Sequence, residues 1–368
     1  MNIEKLQQAL DRVHEAGLAG IVAEVRQDEE SWEGAAGVAD IDTGRPMVPR
    51  MRLRVGSVVK TLTTAAVMRQ CEAGEIDLDK PIGHYLPRLV PGERGATITV
   101  RMLLGHTSGL ADYLPYAYPS LRAMPVVAET SPESIADNQF TRFDPVELIA
   151  MGVAAPPVCA PGGSPGVYSN TGYLLLGQLL ELVTGIDAER HITDSIITPL
   201  GLTGSELPTD PRLEGLHPKM YENWFGMFDP PRDFSVFDMS WVGPAASLVS
   251  TVADMNRFFA LLLAGEVVSP SSLEQMQQTH PVIAFDGSTV DYGLGLHRTQ
   301  RPGLGTFWGH DGSAWGAGAV SMTSEDGRRQ VSLAVNEQRW NRLDASGVPQ
   351  PHPIDLALLE FLGLAMAG

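Results

Sequence analysis

Leu53-Arg54-Val55-Gly56-Ser57-Val58-Val59-Lys60 is the stretch where the chain changes its period. Residues 53–55 read as a short strand, and beyond Gly56 the apolar residues Val59, Leu62, Ala66 and Val67 recur at helical spacing until Gly74 ends the run. A strand that turns at a glycine into a helix leaves Ser57 at the helix start, and Lys60, three residues on, shares its face. An ammonium beside a serine hydroxyl lowers its pKa or, when neutral, takes its proton, while the helix N-terminus favours a developing anion. Four residues make a weak pattern by themselves. The bland alternative is an N-cap serine followed by a surface lysine.

Upstream, residues 1–17 form an amphipathic pattern with Leu6, Leu10 and Val13 on one face, followed by strand patterns at 20–25 and 34–39 and a turn at Asp42-Thr43-Gly44. Downstream, helices are expected at 100–105, 145–152, 172–184, 251–264 and 270–279. Between them lies an aromatic stretch, 221–241, with Trp224, Phe225, Phe228, Phe234, Phe237 and Trp241. A connection of that length and apolarity either closes a core or packs over a site. Past residue 285 the period returns to two, with strands at 292–298, 306–309, 317–323 and 330–335, a hairpin turn at Asp326-Gly327 and a last helix at 354–367. Strand-rich ends around a helical middle predict an α/β fold: a discontinuous domain of residues 1–58 and 285–368 holding an inserted helical domain, 59–284.

Composition narrows the function classes. With 43% apolar and 19% charged residues in 368, the chain reads as a soluble globular protein. The formal net charge of -18, spread over residues such as Glu29, Glu30, Asp77 and Asp79, argues against a nucleic-acid partner. Two cysteines, Cys71 and Cys159, cannot build a disulfide framework and read as buried thiols. No apolar run is long enough to span a membrane and no signal core follows Met1. The expected location is therefore the cytoplasm, or outside the cell if a leader once preceded residue 1. A monomer is the default. The histidines show no His-x-His or His-Glu-x-x-His pattern, so neither a metal nor another cofactor is expected.

Two further elements support the serine reading. Tyr168-Ser169-Asn170 follows a Pro/Gly-rich loop, 161–166, and precedes a helix, which lifts a phenol and an amide out of a loop. A tyrosine beside a lysine ammonium is a candidate general base. His310-Asp311-Gly312 closes a strand pattern, and Gly312 would let the backbone come close to a substrate.

With these three elements in this order, the sequence resembles the serine β-lactamase and penicillin-binding-protein superfamily, in its class C β-lactamase and DD-peptidase branch, whose motifs are Ser-x-x-Lys, Tyr-x-Asn and Lys/His-x-Gly. Within that branch it is most like the soluble actinomycete DD-carboxypeptidase/transpeptidases. The stretches at 54–57, 104–110, 250–254 and 292–296 also look familial. The resemblance implies an antiparallel sheet flanked by helices, an inserted all-helical domain, and an active site between them. It implies that Ser57 is acylated with Lys60 as its partner, that Tyr168 shuttles the proton, that Asn170 binds the substrate amide, and that His310 takes the third motif's role. Backbone N–H groups of Ser57 and Ser313 would form the oxyanion hole, and His106 would be structural.

The departures from the family concern the cargo. Counted back from His310, the place of the family's carboxylate-gripping cation falls on His297, with Arg298 turned to the other face. Asp311 stands where a threonine is usual; its carboxylate would repel a free C-terminus and could receive an amine or a hydroxyl. The expectation is thus an esterase, amidase or acyltransferase of specialised metabolism. It would take a small-molecule or peptide acyl donor and an amine or hydroxyl acceptor, with Trp241 in the acyl pocket and slow or no β-lactam turnover. The alternatives are D-Ala-D-Ala carboxypeptidase/transpeptidase or β-lactamase, and, in another class, a non-catalytic binding protein on the same fold.

Overall fold

The alternating segments at the two ends of the chain pair with each other. A computed structural model describes residues 1–121, 131–338 and 340–367. It joins ten strands in the order Arg45–Pro46, Glu30–Asp40, Gly20–Gln27, Arg329–Val335, Ala317–Ser324, Gly305–Ala314, His297–Arg301, Thr289–Tyr292, His280–Ile283 and Gly166–Val167. Neighbours are antiparallel except the last pair. The expected antiparallel sheet flanked by helices is what forms. Register is set by burial: Ile21, Ala23 and Val25 face one side with Val331 and Leu333, where the helices Ile3–Glu15 and Pro353–Ala367 cover them with Leu6, Leu10, Val13 and Phe361.

Three boundaries differ from the sequence expectation, each for a local reason. Residues 292–298 are not one strand: Gly293 to Leu296 is the turn between Thr289–Tyr292 and His297–Arg301. Gly295 has φ +62° there, and a Cβ on it would stand 2.0 Å from Thr64 Oγ1. Alternating Gly and Leu mimicked a strand while the backbone reversed. The strand begun at 306–309 runs on through Ala314, so His310, Asp311 and Gly312 lie within it, opposite Ser321, Val320 and Ala319. The helix expected at 270–279 stops at Met276 because His280–Ile283 joins the sheet edge.

The helix Val59–Glu72 is the buried axis on which the site rests. Val59 through Met68 are all buried, Lys60, Thr61, Thr63 and Thr64 included, so this helix has core on every side. Its polar groups are satisfied: Thr61 Oγ1 donates to Gly295 O (2.6 Å) and Thr63 Oγ1 to Pro244 O (2.7 Å), while Thr64 Oγ1 meets Tyr173 Oη at 3.2 Å. Those bonds tie the Gly293 turn and the Gly243–Ala245 turn to the helix.

Arg54 fixes the aromatic stretch. Its fully buried guanidinium donates to Phe234 O (2.7 Å) and Ser235 O (2.9 Å), and burial pulls its pKa down to about 10. Carbonyl acceptors rather than a carboxylate hold the charge, and the loop Tyr221 to Trp241 is drawn onto the strand that leads into Ser57. Cys71 and Cys159 are free and half-buried; burial pushes the Cys71 thiol up to about 12, far from a reactive thiolate. No described helix is long and apolar enough to cross a membrane.

Candidate active site

Ser57 sits in the single 3₁₀ turn Gly56–Val58 that opens the helix, and Lys60 reaches it from the next turn. Lys60 Nζ donates to Ser57 Oγ (3.0 Å), Asn170 Oδ1 (2.8 Å) and Ala245 O (2.8 Å), which uses every hydrogen of an ammonium. Burial nevertheless brings its pKa down to about 7, against the opposing pull of Asp112 and Asp311. At neutral pH a substantial fraction is therefore the free amine, able to accept a proton.

Tyr168 also reaches Ser57, with its hydroxyl hydrogen-bonded to the serine. Burial raises its pKa well above the ordinary phenol value, which that hydrogen bond only partly offsets, so it is a neutral phenol in the resting site. Lys60 Nζ lies 4.9 Å from the Tyr168 ring centre. The ring is stacked on His106 at 4.0 Å. His106 Nδ1 accepts from Ser169 N (3.2 Å) and its carbonyl from Val167 N (3.0 Å), so this histidine clamps the Tyr168 segment on both sides. Burial holds its pKa well below the ordinary imidazole value. Asn170 is fixed in turn by Asp112, which accepts from its backbone N–H at 2.5 Å.

The third element meets the first through two glycines. A Cβ on Gly312 would stand 2.5 Å from Ser57 N, and one on Gly56 2.5 Å from Ser313 N. Only bare backbone lets these segments approach so closely, and it brings the Ser57 and Ser313 amides side by side at the helix N-terminus. His310 Nε2 accepts from Tyr292 Oη at 2.9 Å, and its Nδ1 donates to Asp311 O. Burial drives its pKa well below the usual imidazole value, reinforced by His297 and Lys60, so it is neutral.

His297 accepts the Asp311 amide N–H at Nε2 (3.1 Å). Burial lowers its pKa, so the 3.3 Å approach of Asp311 Oδ1 to the same nitrogen is not an ion pair, and the carboxylate, 66% exposed, faces solvent. Arg298 pairs with Asp291 at 3.0 Å, away from the site. Ligand atoms of His297, His310 and Asp311 lie within 4.8 Å of one another, but the ring nitrogens described above are committed to Asp311 and Tyr292.

Two clefts open on Ser57. One, of about 330 Å³, is lined by Tyr168, Phe285, Tyr292, His297 and Asp311; the other, of about 70 Å³, by Asn170, Leu114, Val242, Trp241 and Trp315. Trp241 stacks on Trp315 at 5.2 Å.

The β-lactamase family model matches residues 3–350. The chain belongs to the β-lactamase family. It is 28% identical over 375 residues to penicillin-binding protein 4 of Amycolatopsis lactamdurans, covering 92% of this chain and 91% of that one. Among solved structures it is similar to a D-stereospecific amidohydrolase from Streptomyces sp., with TM-score 0.80, 30% identity, and 92% and 95% of the two chains covered. It shares the fold of the D-amino acid amidase of Ochrobactrum anthropi SV3, with TM-score 0.80, 23% identity, and 100% and 99% covered. The chain is a serine hydrolase of the β-lactamase-like superfamily.

The β-lactamase-family motifs all converge: Ser57, Lys60, Tyr168 and Asn170 at the centre, His310, Asp311, Gly312 and Ser313 along one strand, and Trp241 and His297 in the two clefts. Of the residues that hold these in place, sequence reasoning singled out His106 as structural and gave the others no role. Tyr292 orients His310, Asp112 orients Asn170, Trp315 backs Trp241, and His106, expected to be structural, lies directly under Tyr168. Tyr292 and His106 stood in familial-looking stretches, which was the available signal; Asp112 and Trp315 had none.

Proposed function

We propose that this chain hydrolyses or transfers the acyl group of small amides, esters or short peptides through an acyl-enzyme on Ser57, and that it prefers donors carrying a free amine near the scissile bond. Lys60, as the free amine, takes the Ser57 proton while Ser57 Oγ attacks the carbonyl, whose developing oxyanion is received by the Ser57 and Ser313 amides. The Tyr168 phenol donates its proton to the leaving group and regains one from Lys60, so the proton removed from Ser57 leaves with the amine or alcohol. A water, or an acceptor amine or hydroxyl, reverses these steps in deacylation.

One observation carries the substrate reading. Among the described residues lining the two clefts, the charged ones are Glu222, Asp286 and Asp311, all acids. Glu222 is committed to the backbone N–H groups of Trp224 and Gly316, and Asp286 to Ser288, which leaves Asp311 facing the cleft without a cation. A substrate ending in a carboxylate finds no arginine or lysine among the described residues lining these clefts, whereas an ammonium finds Asp311. The D-stereospecific amidohydrolase and the D-amino acid amidase that share this fold are, by name, enzymes of amide bonds, which supports an amide donor. The 70 Å³ cleft lined by Trp241 and Trp315 suits a small apolar side chain of the acyl group.

The experiment compares D- and L-amino acid amides, their N-acetyl derivatives, simple esters and peptidyl-D-Ala-D-Ala. The reading expects free-amine amides to lead, and a higher kcat/KM for peptidyl-D-Ala-D-Ala would overturn it. Labelling by a fluorophosphonate at Ser57 separates an enzyme from a binding protein.

A further inference from the structure

The two clefts at Ser57 share four of the described residues in their walls: Ser57, Ser313, Phe285 and Gln338. Phe285 is the aromatic one, and it is 39% exposed. A lone exposed phenylalanine is ordinary on a protein surface. This one stands in the wall of the reaction clefts, so the apolar area it leaves open is area that a substrate can cover.

Its position is set by the hairpin that joins His280–Ile283 to Thr289–Tyr292. The tip is closed by Ala284 N–H donating to Ser288 O (2.9 Å), and the Asp286 carboxylate accepts from Ser288 N–H (2.9 Å) and Oγ (2.6 Å). The same hairpin holds Tyr168: Gly166–Val167 pairs with Val282 and Ile283, and Tyr168 N–H donates to Ile283 O (2.9 Å). Two residues on from Ile283, the Phe285 ring meets the Tyr168 ring edge-on at 5.1 Å. Backbone hydrogen bonds thus fix these two side chains relative to each other.

Tyr168 lines the 330 Å³ cleft and not the smaller one, while Asn170 lines the smaller one and not the larger. With Tyr168 as proton donor, the departing nitrogen or oxygen lies at its hydroxyl, and a substituent on that atom extends into the larger cleft. There Phe285, with Ala284, Val290 and Tyr292, makes a largely apolar wall. Ammonia released from a primary amide would leave that wall bare, whereas an amine with an apolar substituent covers it.

We propose that Phe285 sets the leaving-group preference, and that the favoured donors are amides of amines bearing an aromatic or bulky apolar substituent rather than primary amides. Because deacylation retraces the same steps, the same wall selects apolar amines as acyl acceptors. The inference rests on the acyl-transfer reading above, with Tyr168 as proton donor.

The test compares the primary amide, the N-methylamide and the N-benzylamide of alanine, in each configuration, on the full chain. For the configuration that is turned over, kcat/KM should be about tenfold higher for the benzylamide than for the other two. Phe285→Ala should lower the benzylamide-to-primary-amide ratio by about five- to tenfold, through KM, and Phe285→Tyr, which keeps the ring, should retain it. Turnover of none of the three amides would overturn the acyl-transfer reading and this inference with it. Turnover of all three at equal kcat/KM, or a benzylamide preference that survives in Phe285→Ala, would overturn this inference alone. So would an equal fall in kcat for all three in Phe285→Ala, which would make the ring a support for Tyr168.

Discussion

Lys60 Nζ lies 3.0 Å from Ser57 Oγ while being held by Asn170 Oδ1 and Ala245 O, and it does so in full burial with its pKa at about 7. The protonated and free forms are therefore both accessible at neutral pH, and only the free amine can accept the serine proton. The acidic limb of kcat/KM should fall with an apparent pKa near 7. Ser57→Ala should abolish turnover of every substrate, and Lys60→Met should reduce kcat by ~10²–10⁴. A flat profile from pH 5 to 9 would remove Lys60 from the role of base.

The same burial makes a prediction about stability. Lys60 has a folded pKa of about 7 against an ordinary value of 10.5, so between these the unfolded chain binds more protons and the folded state gains stability as pH rises. Below pH 7 the penalty for a buried charge is fully present; above 10.5 it is gone. The difference in unfolding free energy between the parental chain and Lys60→Met should shift in favour of the parental chain from pH 7 to 10, by an upper bound of ~4–5 kcal/mol. Denaturant titrations of both proteins across this range would show it, and a pH-independent difference would contradict it.

How much of this was legible beforehand depended on whether the determinant was local. Ser57 and Lys60 share a helix face by spacing alone, and the terminal strands announced themselves by alternation. Gly293-Leu294-Gly295-Leu296 did not, because apolar alternation cannot report that Gly295 takes φ +62° against Thr64. The supports of the site were equally hidden. Asp112 is 58 residues from Asn170 and His106 is 63 from Ser169, and only the packed chain brings each to its partner.

Tyr168 is a neutral phenol hydrogen-bonded to Ser57 and stacked on His106. Removing its hydroxyl takes away the proton donor to the leaving group but not the base. Tyr168→Phe should therefore lower kcat for amides by ~10²–10⁴, and much less for esters with phenolate leaving groups, which need no proton. Equal losses on both substrates would reassign Tyr168 to positioning.

Asp311 presents an exposed carboxylate beside a neutral His297. Asp311→Asn should cost about 10- to 100-fold in kcat/KM for a free-amine amide, as expected for loss of a charged partner, and little for its N-acetyl derivative. Asp311→Thr should in addition raise the rate on peptidyl-D-Ala-D-Ala. Parallel losses on the free and acetylated amides would show that Asp311 does not read the amine.

Gly312 makes a strict geometric demand at the site itself. A Cβ there would come within 2.2 Å of Val55 O, 2.5 Å of Ser57 N and 2.9 Å of Val58 N, all backbone atoms that cannot swing aside like a side chain. Gly312→Ala must push the strand Gly305–Ala314 away from the turn carrying Ser57, and so part the Ser57 and Ser313 amides. Each oxyanion donor is worth about 3 kcal/mol, so acylation should slow by ~10²–10³. The acidic limb should stay where it is, because Lys60 and its partners lie outside the displaced strand. Gly363→Ala, in the last helix with nothing within 4 Å of its Cβ, is the matched control and should leave acylation unchanged. Stopped-flow acylation by a chromogenic ester measures both, and a Gly312→Ala rate equal to that of Gly363→Ala would show that the amide pair is not the oxyanion hole.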